Sequence, residues 1–246
     1  MSKFAVIIAA AGQSQRFQDR HYKKPFAPLA GKAVWLHSAE RFLNRNDVKQ
    51  VILVISAEDR EEFFSKFGAN IAILGVDVVD GGAERADSVQ RALEKVRDDI
   101  DFVAVHDAAR PCLVDAWIDE VFAAAIKSGA AILANPVVGT LKRSTDGKTT
   151  KETVSRSGLW EAQTPQVFQR ELLSRAYAQR GNLNPTDEAQ AVEATGHSVT
   201  LVNASRMNMK ITTRDDLRLA EQVLKALPKP NLTNPAHPFA DGDMWR

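Results

Sequence analysis

The sequence predicts an α/β fold, a mostly parallel twisted sheet with helices on both faces and a protruding polar β-arm. Three observations predict it. Short continuous apolar runs recur along the chain, amphipathic helical patterns separate them, and a Thr/Lys/Ser-rich stretch interrupts the alternation past the middle. The first run, "KFAVIIAA", stops before Gly12, and "VKQVILVIS" (Val48 to Ser56) and "DFVAVH" (Asp101 to His106) have the same character. Each reads as a strand buried on both faces. Apolar residues at spacings of three and four predict helices over Val34 to Arg45, Glu58 to Phe67, Arg85 to Arg97 and Asp115 to Ser128. Such alternation gives right-handed crossovers and a crevice beyond the strand carboxyl ends, where ligands sit in sheets of this kind.

From "ANPVVGTLKRSTDGKTTKETVSR" the composition turns polar, and Asp146-Gly147 predicts a two-residue hairpin turn in an arm spanning about 138–158. An arm with so few apolar residues cannot bury itself, so it is expected to pack on another surface such as a second subunit. The chain returns through "LWEAQTPQVF", helices near Arg170 to Arg180 and Asp187 to Thr195, the strand "SVTLVN", and a last helix over Thr213 to Leu227. Residues 1–227 read as one domain. Residues 228–246, proline-rich and without periodicity, read as a flexible tail.

Charge and composition narrow the class of function. With 32 basic and 31 acidic residues the net charge is +1, so no global field recruits nucleic acid or an anionic membrane, and any anion must be bound locally. The apolar run Phe4 to Ala11 is too short to span a bilayer and is read as a first strand rather than an export signal. One cysteine, Cys112, rules out an internal disulfide framework, and the expected compartment is the cytoplasm. Cys112 itself reads as a small buried apolar residue.

Three loops carry chemistry. In "AAAGQSQRFQDRHYKKPF" a strand runs into Gly12 and a basic loop. This suits phosphate, because backbone N–H groups near a glycine reach the oxygens while Arg16 and Lys24 supply charge. It matches neither G-x-G-x-x-G nor G-x-x-x-x-G-K-[ST], and spacing alone leaves both cations open between phosphate ligands and solvated surface charges. The loop "VVDGGAERADSVQRAL" offers Gly81, Gly82 and Ser88 for a tight slot fitting a planar base, while read without context it is first an ordinary strand-to-helix turn with Glu84 and Asp87 at the helix start. In "HDAARP" the strand ends in Asp107, free to hold Mg²⁺ or only to cap a helix, and Arg110, free to face a phosphate.

Taken together, "AAAGxxxRF…KKPF", "DGGxERADSV", "VHDAARP", "WEAQTPQVF", "TDEA" and "MKIT", in this order, resemble the 2-C-methyl-D-erythritol 4-phosphate cytidylyltransferase family over roughly residues 4 to 227. The resemblance implies a Rossmann-like (GT-A-like) nucleotidyltransferase fold and cytidylyl transfer from CTP to methylerythritol phosphate with Mg²⁺ or Mn²⁺, in the non-mevalonate isoprenoid pathway. It makes Arg16, Lys24 and Lys210 the catalytic cations. Ala10, Ala11, Gly12, Gly81, Gly82, Ser88, Asp107 and Ala108 become the nucleotide site, with Asp107 also the metal ligand. Arg110, Thr140, Arg156, Thr164 and Thr186 take the acceptor, Thr140 and Arg156 reaching it from the partner's arm in a homodimer with shared sites.

The chain departs from the family pattern at Ala83 and Gly139, where acids are usual, at Pro25, and in a longer loop between Arg16 and Lys24. A cytidylyltransferase for another polyol phosphate, such as ribitol 5-phosphate, shares the nucleotide motifs. A nucleotide-binding regulator without turnover is the reading from a different class, and retention of Arg16, Lys24, Asp107 and Lys210 argues against it. His106 reads as a packed or hydrogen-bonded histidine, the other histidines show no zinc spacing, and Thr186 doubles as a helix cap. Trp35, Trp117 and Trp160 read as core or interface residues.

Overall fold

The computed structural model describes residues 1–12, 17 and 23–228; Arg16 and the tail from 229 onward lie outside them. The chain alternates as the apolar runs require. β1 (Phe4–Ala9) is followed by the short antiparallel pair β2 (Pro28–Leu29) and β3 (Lys32–Ala33), then α1 (Val34–Leu43), β4 (Val48–Ile55), α2 (Arg60–Leu74) and β5 (Asp77–Asp80). Next come α3 (Arg85–Leu93), β6 (Phe102–Asp107), α4 (Asp115–Ser128) and β7 (Ala130–Pro136). The arm is β8 (Leu141–Arg143) with β9 (Glu152–Val154); the chain closes with β10 (Trp160–Gln169), α5 (Arg170–Ala178), α6 (Glu188–Glu193), β11 (Thr200–Asn203) and α7 (Arg214–Ala226).

Among the described residues one seven-stranded sheet has the order β11-β7-β10-β6-β1-β4-β5. It is parallel except at β10, which runs antiparallel to both β6 and β7. Successive residues of the central strands feed opposite faces. Val6, Ile8, Leu53 and Ile55 pack with Trp35, Phe42, Phe63 and Phe122 from α1, α2 and α4. Ile7, Ile52, Val54 and Val105 pack with Val89, Leu173, Tyr177 and Val192 from α3, α5 and α6. Double coverage is why these strands read as unbroken apolar runs. The chain leaves β1 toward β4 and β5 on one side and returns to β6 on the other, so the topological switch lies between β1 and β6, with Ala9 opposite Asp107.

Several local expectations change. The helix predicted to stop at Phe67 runs through Gly68 to Leu74, because Ile71 still packs on the core, and ends at Gly75 in the left-handed conformation (φ 62°). The helix predicted to reach Arg97 stops at Leu93, and Gln50 Oε1 accepts from Arg97 N at 3.0 Å. Asp146-Gly147 makes no two-residue turn. Asp146 Oδ1 accepts from Lys148 N (2.9 Å) and Thr149 N (2.8 Å) and its Oδ2 from Thr149 Oγ1 (2.7 Å), so residues 144–151 form a wider loop and Arg143 pairs with Glu152. Short polar side chains compete in this way with ladder bonds. Asp187 rather than Thr186 caps α6, accepting from Gln190 N at 2.9 Å. Trp35 is fully buried, whereas Trp160 is exposed.

Phe4 stacks on Phe122 with centroids 3.9 Å apart and on Phe102 at 5.3 Å, tying β1 to α4 and β6. Phe4→Ala is expected to cost about 3–5 kcal/mol in urea unfolding, with the midpoint shifted and the slope unchanged.

Candidate functional site

Beyond the carboxyl ends of β1 and β6 lies a crevice of about 530 Å³. The Gly81-Gly82 loop shapes one wall. Gly81 N donates to Ile55 O at 2.7 Å and Gly82 N to Ser88 Oγ at 3.0 Å, while that hydroxyl donates to Glu84 O at 3.1 Å. A Cβ on Gly81 would stand 2.6 Å from Ala11 Cβ, and one on Gly82 would stand 2.4 Å from Asp87 Cβ. Only glycine allows so close an approach. Ser88 therefore serves first to hold this loop, its hydroxyl already engaged as donor and acceptor.

The opposite wall ends in a buried charge. Asp107, only 7% exposed, has Lys210 Nζ at 2.8 Å and Arg110 Nε at 3.5 Å from Oδ2, and Arg85 Nη2 at 3.6 Å from Oδ1. Burial opposes its ionisation, but Lys210, Arg85 and Arg110 outweigh that and hold the carboxyl well below the usual range. Both groups that the sequence offered to ligands already have partners within the protein. Asp107 is engaged by three cations. Arg110 is buried, donating to Asn208 O (2.7 Å) and Ala162 O (3.5 Å), because a desolvated guanidinium needs acceptors wherever it lies.

The backbone beneath Asp107 is fixed by a short chain of hydrogen bonds. Asp107 N donates to Thr164 Oγ1 (3.1 Å), which leaves that hydroxyl to donate to His106 Nδ1 (3.0 Å) and His106 Nε2–H to donate to Arg110 O (3.1 Å). The network assigns a neutral histidine with its proton on Nε2. Its ring is fully buried edge-on against Phe42, and burial pushes its pKa down to about 4. On the far side, Asn208 Nδ2 donates to Gln163 Oε1 (3.0 Å) and Thr164 O (2.9 Å), and Ile211 N to Ala109 O (2.8 Å), so the loop carrying Lys210 is pinned on both sides.

Of the residues singled out in the sequence, Ala10, Ala11, Gly12, Lys24, Gly82, Ser88, Asp107 and Lys210 line the crevice. Gly81 stands behind Gly82, and Ala108 is buried in the core. Thr164 and Arg110 support the β6 end from behind. Thr140 and Arg156 are exposed at the arm, where the Arg156 guanidinium donates to Val138 O, and Thr186 is exposed with its N–H on Gln190 Oε1 at 2.7 Å. Arg85 and Asn208 were missed. Arg85 stood inside "ERADSV", and only its distance to Asp107, 22 residues later in the chain, shows its place. At a second hollow of about 600 Å³ at the other end of β6, Arg170 pairs with Asp98 at 3.1 Å and Asp101 Oδ2 accepts from Lys3 N at 2.8 Å.

A family model described as 2-C-methyl-D-erythritol 4-phosphate cytidylyltransferase matches residues 4–226. The chain belongs to that family. It is 44% identical to the 2-C-methyl-D-erythritol 4-phosphate cytidylyltransferase of Rhodopirellula baltica, the match covering 89% of this chain and 94% of that protein. Against the protein of the same name from Endomicrobium trichonymphae it is 42% identical, over 91% and 100%. The crystal structure of the Thermus thermophilus 2-C-methyl-D-erythritol 4-phosphate cytidylyltransferase superposes with a TM-score of 0.74 at 31% identity, covering 92% of this chain and all of that one. The cytidylyltransferase family is one of nucleotidyltransferases, and the mostly parallel sheet flanked by helices is the fold its solved members share with this chain.

The buried histidine makes stability depend on pH. Between pH 6.5 and about 4 the unfolded chain binds a proton that folded His106 refuses, so stability is fully present above 6.5 and falls as pH drops through this window. The expected loss is about 3 kcal/mol, from roughly 1.4 kcal/mol per pKa unit. Urea unfolding of the wild type and His106→Gln at pH 7 and 4.5 checks it: the variant should show the shallower dependence.

Proposed function

We propose that this protein transfers the cytidylyl group of CTP to 2-C-methyl-D-erythritol 4-phosphate, releasing pyrophosphate and forming 4-diphosphocytidyl-2-C-methyl-D-erythritol. The observation that carries the reading is the convergence of Lys24, Lys210 and Asp107 on one crevice whose other wall is the Gly82 loop, in a chain of this family. An oxygen of the acceptor phosphate attacks the α-phosphorus of CTP, and the bond from that phosphorus to the oxygen bridging to the β-phosphate breaks as pyrophosphate leaves. The nucleophile is already anionic, so the site needs no strong base. The difficulty is bringing anions together and stabilising the charge of the transition state. Lys24, Lys210 and Arg16 supply that charge.

Asp107 is the residue that would hold the divalent cation of this reaction, Mg²⁺ or Mn²⁺. Its carboxyl lines the crevice and is kept ionised, which suits a hard cation. Among the described residues there is no group of three or more His, Cys, Asp or Glu able to hold a metal by themselves, so nucleotide phosphates would complete the shell, as is usual for Mg²⁺. When bound, the ion neutralises phosphate charge. The Gly82 loop, with backbone at its surface and Ser88 behind it, favours a small pyrimidine over a purine.

Thr140, Arg156, Thr164, Thr186 and Arg110 are assigned to the acceptor by family resemblance. The exposed arm supports a homodimer in which Thr140 and Arg156 serve the partner's crevice. The proposed compartment is the cytoplasm, supported by the single buried cysteine; among the described residues no helix is long and apolar enough to cross a membrane.

Pyrophosphate release measures the reaction. Turnover is expected with CTP and methylerythritol phosphate, and Asp107→Asn should lower it by about a hundredfold or more with a native-like melting curve. Turnover with ribitol 5-phosphate instead would replace the acceptor, equal kcat/KM with ATP would overturn the pocket assignment, and near-normal Asp107→Asn activity at saturating Mg²⁺ would remove Asp107 from the mechanism. Mixing inactive Arg156→Ala and Lys24→Ala chains is expected to restore part of the activity, since one site of each heterodimer then carries neither lesion. If subunits exchange and nothing returns, the arm serves its own chain.

A further inference from the structure

Arg85 is an unfavourable residue for its position. As the first residue of α3 it places a cation at a helix N-terminus, where the peptide dipoles disfavour positive charge, and it is half-buried there. What holds it there is Glu188, completely buried at the first residue of α6 and 103 positions away in sequence. Arg85 Nη1 donates to Glu188 Oε1 at 2.5 Å and Nη2 to Oε2 at 2.9 Å, a two-pronged grip, and Tyr177 on α5 donates its hydroxyl to Oε1 at 3.1 Å. The neighbouring residues of α6 are tied down as well. Gln166 of β10 donates Nε2 to Asp187 Oδ2 at 2.9 Å and accepts from Ala189 N at 3.0 Å.

An ion pair that desolvates one partner completely, as Glu188 is here, gains little as a stabilising device, since apolar residues of similar volume usually serve as well. This one stands at the crevice wall, and Nη2 of Arg85 faces Asp107 Oδ1 at 3.6 Å. The contacts of Lys210 (2.8 Å) and Arg110 (3.5 Å) are made to Oδ2, whereas that of Arg85 is made to Oδ1, so Arg85 approaches the carboxylate from its other oxygen. We infer that Arg85, aimed by Glu188 and Tyr177, is a positioning residue that sets the orientation of the Asp107 carboxylate and locks the nucleotide loop at the start of α3 to the "TDEA" segment at the start of α6. It acts through Asp107 and is assigned no contact of its own with the reacting atoms. The inference rests on the proposed reaction for its kinetic consequence but not for its geometry.

The test uses Arg85→Lys, which keeps the charge and loses the grip, Glu188→Gln, which keeps the shape and loses the charge, and Tyr177→Phe. Pyrophosphate release should show kcat lowered at least tenfold in the first two and two- to fivefold in the third, with KM for CTP moved less than threefold. A rise in KM at unchanged kcat would make Arg85 a nucleotide ligand and overturn the positioning role. Wild-type rates per folded molecule, with any loss explained by melting, would reduce the pair to a structural one and overturn it too. Crystal structures of ligand-free wild type and Glu188→Gln ask the same question without turnover. The Asp107 carboxylate should hold one orientation in the wild type and turn or split in the variant; an unmoved carboxylate sinks the inference. Absence of wild-type turnover, by contrast, would count against the proposed reaction and leave the crystallographic comparison to decide this one.

Discussion

A carboxylate taken out of water must be surrounded by positive charge or give up its own, and Asp107 is surrounded. Each of its three cations comes from a different part of the chain, the start of α3, the turn after β6 and the loop before α7. Each cation in turn needs support: Arg85 from Glu188 and Tyr177, Arg110 from the carbonyls of Asn208 and Ala162, Lys210 from a loop pinned by Asn208. One buried acid therefore ties together elements that the sheet alone would leave independent. Three positive and two negative side chains (Arg85, Arg110 and Lys210 against Asp107 and Glu188) leave this cluster at +1 before Lys24 is counted. Lys24 and Glu84, which also line the crevice, offset one another, so a chain of nearly balanced charge keeps a small positive excess at this site.

The sheet explains why that charge can be placed rigidly. β6 is covered on both faces and flanked by β1 and β10, so its last residue has little freedom. Neutral His106, one residue earlier, connects Thr164 on β10 to the Arg110 carbonyl and closes the turn without adding charge to an already crowded site. The crevice lies at this strand end because the chain reverses direction across the sheet between β1 and β6, separating the loops on either side. Rigid backbone and convergent cations are what phosphoryl-type transfer asks of a protein that contributes little covalent chemistry of its own.

Much of this was legible from residue order. Unbroken apolar runs located β1, β4 and β6 because double coverage leaves no polar face to encode, and Asp115 to Ser128 was read to its ends. Gly12, Gly82, Lys24 and Lys210 stood in motifs that resemble those of the family, and it was the set of motifs together, not the spacing of any one, that singled them out. The misreadings share one cause, side chains that meet partners distant in sequence or outcompete the backbone. Asp146 captured its own loop, Gln50 captured Arg97, and Ile71 carried α2 past a glycine that looks like a stop.

The sequence by itself determined the alternation of elements, the family and the loops that carry charge, since all of these are written in local period and in motif. Only the tertiary structure decided that Asp107 is clasped by three cations, that Arg110 and Thr164 support it from behind, and that Arg85 and Glu188 stand beside it. Those facts depend on which buried charge meets which, and desolvation makes that a property of three-dimensional neighbours rather than of neighbours along the chain.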